Sequence, residues 1–358
     1  MPLNNVRDRI DAIDTQIIDL LAQRVEAVHE VGEIKKKEGL QIYAPEREDA
    51  LLQSLAAKNQ GRMPDDALRA IYREIMSMAL HLEDELKIAY LGPEGTWTHQ
   101  AAIKKFGQSV DYLPHANFAE VFEAVTRRHA SYGVVPIENS TEGAVSHTLD
   151  LFVESPLRIC AQILLRIENS LMAAIPREQI KTIYSHPQVF GQCRNYLLQN
   201  FPEADLVEVS STTRAAQLAK QNAADGAAAM GGGLAAQLHG LEMLDEAVQD
   251  RATITTRFLV IGEKTCPPTG NDRTSILFSV HDRPGSLVQA LQCFDQKAIN
   301  MSKIESRPSK QKDWEYIFYV DFAGHCEDPE IKTALSSLEQ HCSILKILGS
   351  YPDTSLGA

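Results

Sequence analysis

A long amphipathic run opens the sequence. Val6, Ile10, Ile13, Ile17, Leu20, Leu21, Val28, Val31 and Ile34 recur at helical spacing, and Gly39 ends the pattern. Pro45 fits the start of a second helix over 46–57, Asn59-Gln60-Gly61 reads as a turn, and Asp65 caps a third helix reaching about Glu85. A three-helix unit with so long a first member cannot cover its own apolar face. Residues 1–86 are therefore predicted to form an all-α domain that pairs with another copy of itself.

Past residue 86 the pattern changes. Short apolar runs at 88–91, 132–136, 182–184, 206–209, 227–230 and 258–261 alternate with helical stretches, which predicts an α/β domain over 87–263. Residues 265–271 read as a linker. Over 273–351 the expected order is strand 274–280, helix 285–297, strands 301–307 and 315–322, helix 328–341 and strand 344–348. That βαββαβ order is the α+β, ferredoxin-like arrangement. A chain of 358 residues has room for all three domains.

Composition narrows the partners. A formal net charge of −13, with no basic arm, argues against a nucleic-acid partner. No stretch is long and apolar enough to span a membrane, and the chain starts directly in its amphipathic pattern, so a cytoplasmic protein without a signal peptide is expected. Cys160, Cys193, Cys266, Cys293, Cys326 and Cys342 are scattered, with no Cys-x-x-Cys pair. They read as reduced thiols, with no metal site and no cofactor indicated.

Two cations interrupt the apolar stripe of the first helix. Arg24 sits among Ile17, Leu21, Val28 and Val31, and Lys35 follows three turns later on the same face, roughly 16 Å away at ~1.5 Å per residue. Long side chains leaning inward could hold a small dianion, although each cation alone could equally snorkel from a core edge. Arg7 lies about 100° around the helix, out of easy reach of the same pocket but within reach of a partner's.

In the α/β segment, four strands run into polar clusters expected to open helices. These are Gly92–Thr98, Ile137–Gly143, Ser185–Gln188 and Ser210–Arg214. Each Ser or Thr alone could be a plain N-cap. Four clusters together resemble a carboxylate-binding cleft at strand ends. Neither Gly92-x-x-Gly95 nor Gly231-Gly232-Gly233 makes a dinucleotide fingerprint. In the last segment, Gly285 permits a tight strand-to-helix turn.

Resemblances sharpen these readings. Leu3–Leu55, including VRDRIDAIDTQIIDLLAQRVEAVHEVGEIKKKEG and YAPERE, resembles the all-helical chorismate mutases, with Arg7, Arg24, Lys35, Arg47 and Glu48 at that family's substrate-binding positions. The resemblance implies an intertwined dimer in which Arg7 comes from the other subunit. Arg7 and Arg24 would hold carboxylates, Lys35 would donate to the breaking ether oxygen and a carboxylate, and Glu48 would accept from the ring hydroxyl. The reaction is pericyclic, so catalysis means holding a compact conformer and stabilising developing charge. Ala44 stands where the family often has an acid; Ala79 and Glu83 stand where it often has serine and glutamine. A glutamate donates to the ether oxygen only when protonated, so Glu83 is expected to be neutral in the active state.

YLGPEGTWTHQAA, VVPIENSTEGAV, SHPQVFGQC and TTRFLVIG resemble the motifs of prephenate dehydratases, in order. That family folds into two lobes like a periplasmic binding protein. The resemblance makes Thr256 the catalytic threonine. It places Thr96, Thr98, Glu138, Asn139, Ser140, Thr141, Ser185, His186, Ser211, Thr212, Arg257 and Phe258 around prephenate. His186 is a candidate general acid or an orienting group. Ile254 replaces the family's usual asparagine.

The runs Gly285-Ser286-Leu287-Val288 and Glu305-Ser306-Arg307-Pro308 resemble ACT domains of the kind found on prephenate dehydratases. They imply phenylalanine as effector, bound between paired domains. Together the resemblances imply an enzyme that takes chorismate through prephenate to phenylpyruvate without a cofactor, as a homodimer or higher homo-oligomer. The alternatives are an amino-acid-responsive solute-binding protein with a helical dimerisation domain, and an enzyme with one activity lost.

Overall fold

The structure is a computed structural model that describes residues 3–83, 85–309 and 316–354. The chain divides into two compact units, Met1–Lys87 with Phe106–Asp111, and Ile88–Lys105 with Tyr112–Ala358. The first carries α1 (Leu3–Glu38), α2 (Pro45–Asn59) and α3 (Asp65–Glu83). Pro45 occupies the first turn of α2, where its missing N–H costs nothing. Along α1 only Gly32 is buried. Ile10, Ile13, Ile17 and Leu20 are 51%, 51%, 48% and 63% exposed, so the apolar stripe is left open within one copy.

The second unit begins with β1 (Lys87–Leu91), α4 (Trp97–Phe106), β2 (Asp111–His115), α5 (Phe118–Thr126), β3 (Tyr132–Asn139), β4 (Gly143–Ala144), α6 (Ser146–Glu154) and β5 (Arg158–Arg166). It continues through β6 (Ser170–Ala173), β7 (Thr182–Ser185), α7 (Pro187–Gln192), α8 (Arg194–Asn200), β8 (Asp205–Glu208), α9 (Thr212–Gln221), β9 (Ala227–Gly231), α10 (Gly233–His239) and β10 (Glu242–Asp245). It ends with β11 (Thr255–Gly262), β12 (Asp272–Val280), α11 (Ser286–Asp295), β13 (Met301–Pro308), β14 (Tyr316–Ala323), α12 (Pro329–Glu339) and β15 (Cys342–Pro352).

Three sheets result. The first runs β2-β1-β3-β11-β5 with β4 on β3, the second β10-β6-β9-β7-β8, and the third β13-β14-β12-β15. The first two make a two-lobed α/β region. The chain leaves the first lobe after β5 and returns through β11, and the crossing strands are tied where Ile167 N donates to Ile254 O at 2.7 Å. The second lobe packs through small residues: Ala215, Ala216 and Ala219 of α9 lie against Ala229 of β9, all wholly buried, so helix and sheet approach closely. The third sheet is the expected antiparallel βαββαβ unit, its helices covering one face around Phe278, Phe294 and Phe322.

Some details differ from the sequence reading. Residues 137–139 belong to β3, which turns into the short strand β4, so this polar cluster closes a hairpin and does not open a helix directly. Strands β2, β5, β6 and β10 were not anticipated, and β15 runs on to Pro352. The expected strand start at 315 lies outside the described residues. No described helix is long and apolar enough to cross a membrane.

Candidate active sites

In the helical unit, Lys35 and Glu83 meet. Lys35 Nζ donates to Glu83 Oε2 at 2.7 Å and to the Ile42 carbonyl at 2.7 Å, with the two side chains 19% and 8% exposed. Gly32, one turn before Lys35, brings α1 against Glu83. Arg24 is half-buried, and its Nη1 is buried with no hydrogen-bond partner among the described residues, an expensive state for a guanidinium unless an anion meets it. Arg7 and Arg47 are exposed, and Glu48 and Ala44 are half-buried. Ala79 is buried.

In the two-lobed region, strand direction gathers the hydroxyls. β1 and β3 are parallel and β11 is antiparallel to β3, so Thr96, Asn139–Thr141 and Thr256 share one edge of the first sheet. β7, β8 and β9 are parallel, so Ser185, His186, Ser211 and Gly232 share one edge of the second. The two edges touch. A Cβ on Gly95 would lie 3.0 Å from Thr213 Oγ1, and one on Gly232 would press on the Trp97 ring at 2.7 Å. These glycines let the lobes close on each other at the carboxyl ends of their strands, where open α/β sheets bind ligands.

Thr256 is 8% exposed and sits opposite Asn139 in the strand register. Asn139 Nδ2 donates to Thr256 Oγ1 at 2.8 Å. The amide orientation is fixed by the donors that converge on Asn139 Oδ1: Thr141 N at 2.9 Å, Thr141 Oγ1 at 2.6 Å and Glu142 N at 3.3 Å. The Thr256 oxygen therefore accepts from the amide and keeps its own proton for another acceptor. Ser140 Oγ accepts from Thr255 N at 3.0 Å, which ties the loop to the strand.

Other expected site residues have local duties. Ser211 accepts from Arg214 N as an N-cap, and His186 Nδ1 accepts from Gln188 N at the start of α7. Ser185 Oγ donates to Met230 O at 2.8 Å. Thr96 donates to Leu91 O and accepts from His99 N. Thr98 and Thr212 are buried.

Three expected prephenate contacts lie elsewhere. Phe258 is 1% exposed within the sheet. Arg257 and Glu138, paired across the register, are the strand neighbours of Thr256 and Asn139, so their side chains take the opposite face. There Arg257 Nη1 donates to Asp321 Oδ2 at 2.5 Å and Nη2 to Tyr351 Oη at 2.7 Å. Ser275 donates to Asp321 Oδ1 at 2.5 Å and lies 2.7 Å from Tyr351 Oη. Ser275 has one proton and gives it to Asp321, so Tyr351 donates to Ser275 and the ring closes. Burial pushes the Tyr351 hydroxyl up to about 12, which keeps it a neutral donor. Lys303 Nζ lies 3.0 Å from Glu138 Oε2, an ion pair without hydrogen-bond geometry. A cavity of about 20 Å³ beside Arg257, Lys303 and Asp321 has room for a water but not for a ring substrate.

Trp97, Thr213, Gly232 and His99 lie in runs that the sequence singles out but were not among the residues expected to touch a substrate. Thr213 Oγ1 is buried without a partner among the described residues. His99 stacks on Tyr90 at 4.5 Å and accepts from Gly95 N through Nδ1 at 3.1 Å; burial lowers its pKa, favouring the neutral acceptor. The Ser-Ser-Thr-Thr run and the triple glycine were visible signals, but nothing local says that they face each other.

Of the effector motifs, Gly285 is exposed with φ +86°, and Val288, Ser306 and Pro308 are exposed. Ser286, Leu287 and Glu305 are half-buried, with Leu287 packed on the third-sheet core. Arg307 turns to α6, 2.9 Å from Asp150 and bonded to Ser146.

Family models match in order: "Chorismate mutase type II" at residues 6–84, "Prephenate dehydratase" at 88–266 and "ACT domain" at 274–340. The chain is 43% identical to a bifunctional chorismate mutase/prephenate dehydratase of Aquifex aeolicus over 99% of each chain. It is 42% identical to one of Stutzerimonas stutzeri, over 99% of this chain and 98% of that one. A prephenate dehydratase from Arthrobacter aurescens, solved in complex with L-Phe, superposes with a TM-score of 0.70 at 33% identity, over 75% of this chain and 90% of that one.

Proposed function

Since the chain belongs to the bifunctional chorismate mutase/prephenate dehydratase family, we propose that its helical unit rearranges chorismate to prephenate and its two-lobed region converts prephenate to phenylpyruvate. The observation that carries the second step is the free proton on Thr256. Prephenate loses its ring carboxylate as carbon dioxide and its 4-hydroxyl as water, driven by aromatisation. Hydroxide is a poor leaving group, and a hydrogen-bond donor aimed at it lowers the barrier. Asn139 occupies a lone pair of Thr256, so the Thr256 proton is available to the departing oxygen. Thr96, Ser140, Thr141, Ser185, His186, Ser211 and Thr212 supply the polar rim, with Thr98 behind it.

In the helical unit, Arg24 offers an unpartnered N–H to a carboxylate, and Lys35 donates to the ether oxygen. Arg7, Arg47 and Glu48 complete the pocket, with Arg7 supplied by the partner. A second copy covers the exposed stripe of α1, because a face of this size is unfavourable in water. Glu83 shares Lys35 with the substrate. Glu83→Ala is expected to lower mutase turnover at least ~10-fold in a steady-state chorismate assay. Turnover within about twofold of wild type in that variant would remove Glu83 from the mechanism.

Phenylalanine, bound at Gly285–Val288 and Glu305–Pro308 between paired ACT domains, acts as end-product inhibitor by favouring a less active state. The test of the two activities is to supply chorismate and prephenate separately and follow phenylpyruvate by its absorbance in alkali. Phenylpyruvate is expected from both; none from prephenate would refute the dehydratase reading.

A further inference from the structure

We propose that the third sheet is a working part of the dehydratase site: Lys303 and Asp321 are positioning residues that set the Thr256–Asn139 pair through Arg257 and Glu138, and the phenylalanine response passes through the same two ion pairs. The inference rests on the dehydratase and effector readings above and adds the route that joins them.

Asn139 and Thr256 meet on one face of the β3–β11 pair. The preceding residue of β3, Glu138, and the following residue of β11, Arg257, meet on the other. Both belong to the third sheet's surroundings: Arg257 is held by Asp321 of β14 and Tyr351 of β15, and Glu138 by Lys303 of β13. Adjacent residues of a strand share a peptide plane, so a backbone shift at Glu138 or Arg257 carries with it the residues that hold and bear the reactive hydroxyl.

β13 is built to transmit such a shift. Its burial alternates strictly: Lys303, Glu305 and Arg307 are half-buried, while Ile304, Ser306 and Pro308 are exposed. One face therefore offers Ser306 and Pro308 of the effector motif, and the other carries Glu305 with the cations that grip the dehydratase region. Lys303 takes Glu138, and Arg307 takes Ser146 at the start of α6 and Asp150 one turn further on. The far end of α6 is held too, with Lys346 Nζ donating to the carbonyls of Phe152, Val153 and Ser155 at 2.9, 3.1 and 2.6 Å. A sheet fastened at both ends of a helix and at both strands of the catalytic pair has discrete arrangements, not a continuum.

Lys303→Met in the full-length protein is the test. Asp321 is unsuitable because its loss strands a buried arginine, whereas the Glu138 side chain is 38% exposed and rehydrates when Lys303 goes. We expect kcat for prephenate to fall at least ~10-fold with KM within about threefold of wild type. The melting temperature should stay within about 3 °C. Phenylalanine should still bind by calorimetry but inhibit the residual activity less than about half as strongly. Lys303→Arg, which keeps the charge, should recover most of kcat. The proposal is overturned if Lys303→Met turns over within about twofold of wild type and is fully inhibited, or if a lost kcat tracks a lost melting transition and Lys303→Arg does not restore it. Failure of the underlying readings would be seen in the wild type itself, as no turnover of prephenate or no binding of phenylalanine.

Discussion

Replacing Thr256 by valine is expected to slow phenylpyruvate formation from prephenate by about 10²- to 10⁴-fold, the range of a positioned proton donor. Valine keeps the shape and loses the hydroxyl. The substitution leaves Asn139 Nδ2 without its 2.8 Å partner, a loss of about 1–3 kcal/mol of stability, which should not unfold the region. The helical unit contains none of these groups, so chorismate turnover should stay within about twofold, as sites with no shared partners are nearly additive. Steady-state assays of both activities on one preparation provide the check. Dehydratase turnover within about tenfold of wild type would remove Thr256 from the chemistry.

The second large effect is on stability. Asp321→Ala strands the Arg257 guanidinium, which is 7% exposed and cannot be deprotonated at any accessible pH. Breaking a buried ion pair on one side costs about 3–5 kcal/mol. Glu138, 3.9 Å from Arg257, takes up only part of the charge. The melting temperature should fall by roughly 6–20 °C for a domain of this size. Replacing both partners, Arg257→Met with Asp321→Leu, removes the stranded charge and should recover most of the loss. Denaturant melts of the two variants decide it, and a loss below about 1 kcal/mol in Asp321→Ala would mean that water reaches the ring.

The helices, the alternation of strand and helix and the βαββαβ order were legible because each depends on local spacing. The apolar stripe of α1 predicted its own exposure, and Pro45 its helix start. The strand ends bearing Thr96, Asn139, Ser185 and Ser211 were legible as hydroxyl clusters for the same reason. What local pattern could not convey was facing. The reading took Glu138 with Asn139 and Arg257 with Thr256 as one set, although neighbours in a strand point to opposite sides. Had β3 been read through to Asn139, alternation alone would have sent Glu138 and Arg257 away from the hydroxyls. Their true partners, Lys303 and Asp321, lie more than sixty positions further along the chain, and no spacing rule reaches that far. Gly95 and Gly232 likewise gain meaning only from Thr213 and Trp97 across the lobes.

In the proposed dehydratase step the Thr256 hydroxyl keeps its proton for the departing oxygen because Asn139 donates to it. Asn139→Asp addresses this directly. One aspartate oxygen can still receive Thr141 and Glu142, while the other faces Thr256 as an acceptor and turns the hydroxyl proton toward itself. The rate of phenylpyruvate formation from prephenate by this variant is expected to fall at least ~100-fold with chorismate turnover unchanged. A rate within about threefold of wild type would mean that Thr256 does not give its proton to the departing oxygen, since a carboxylate at that position cannot leave that proton free.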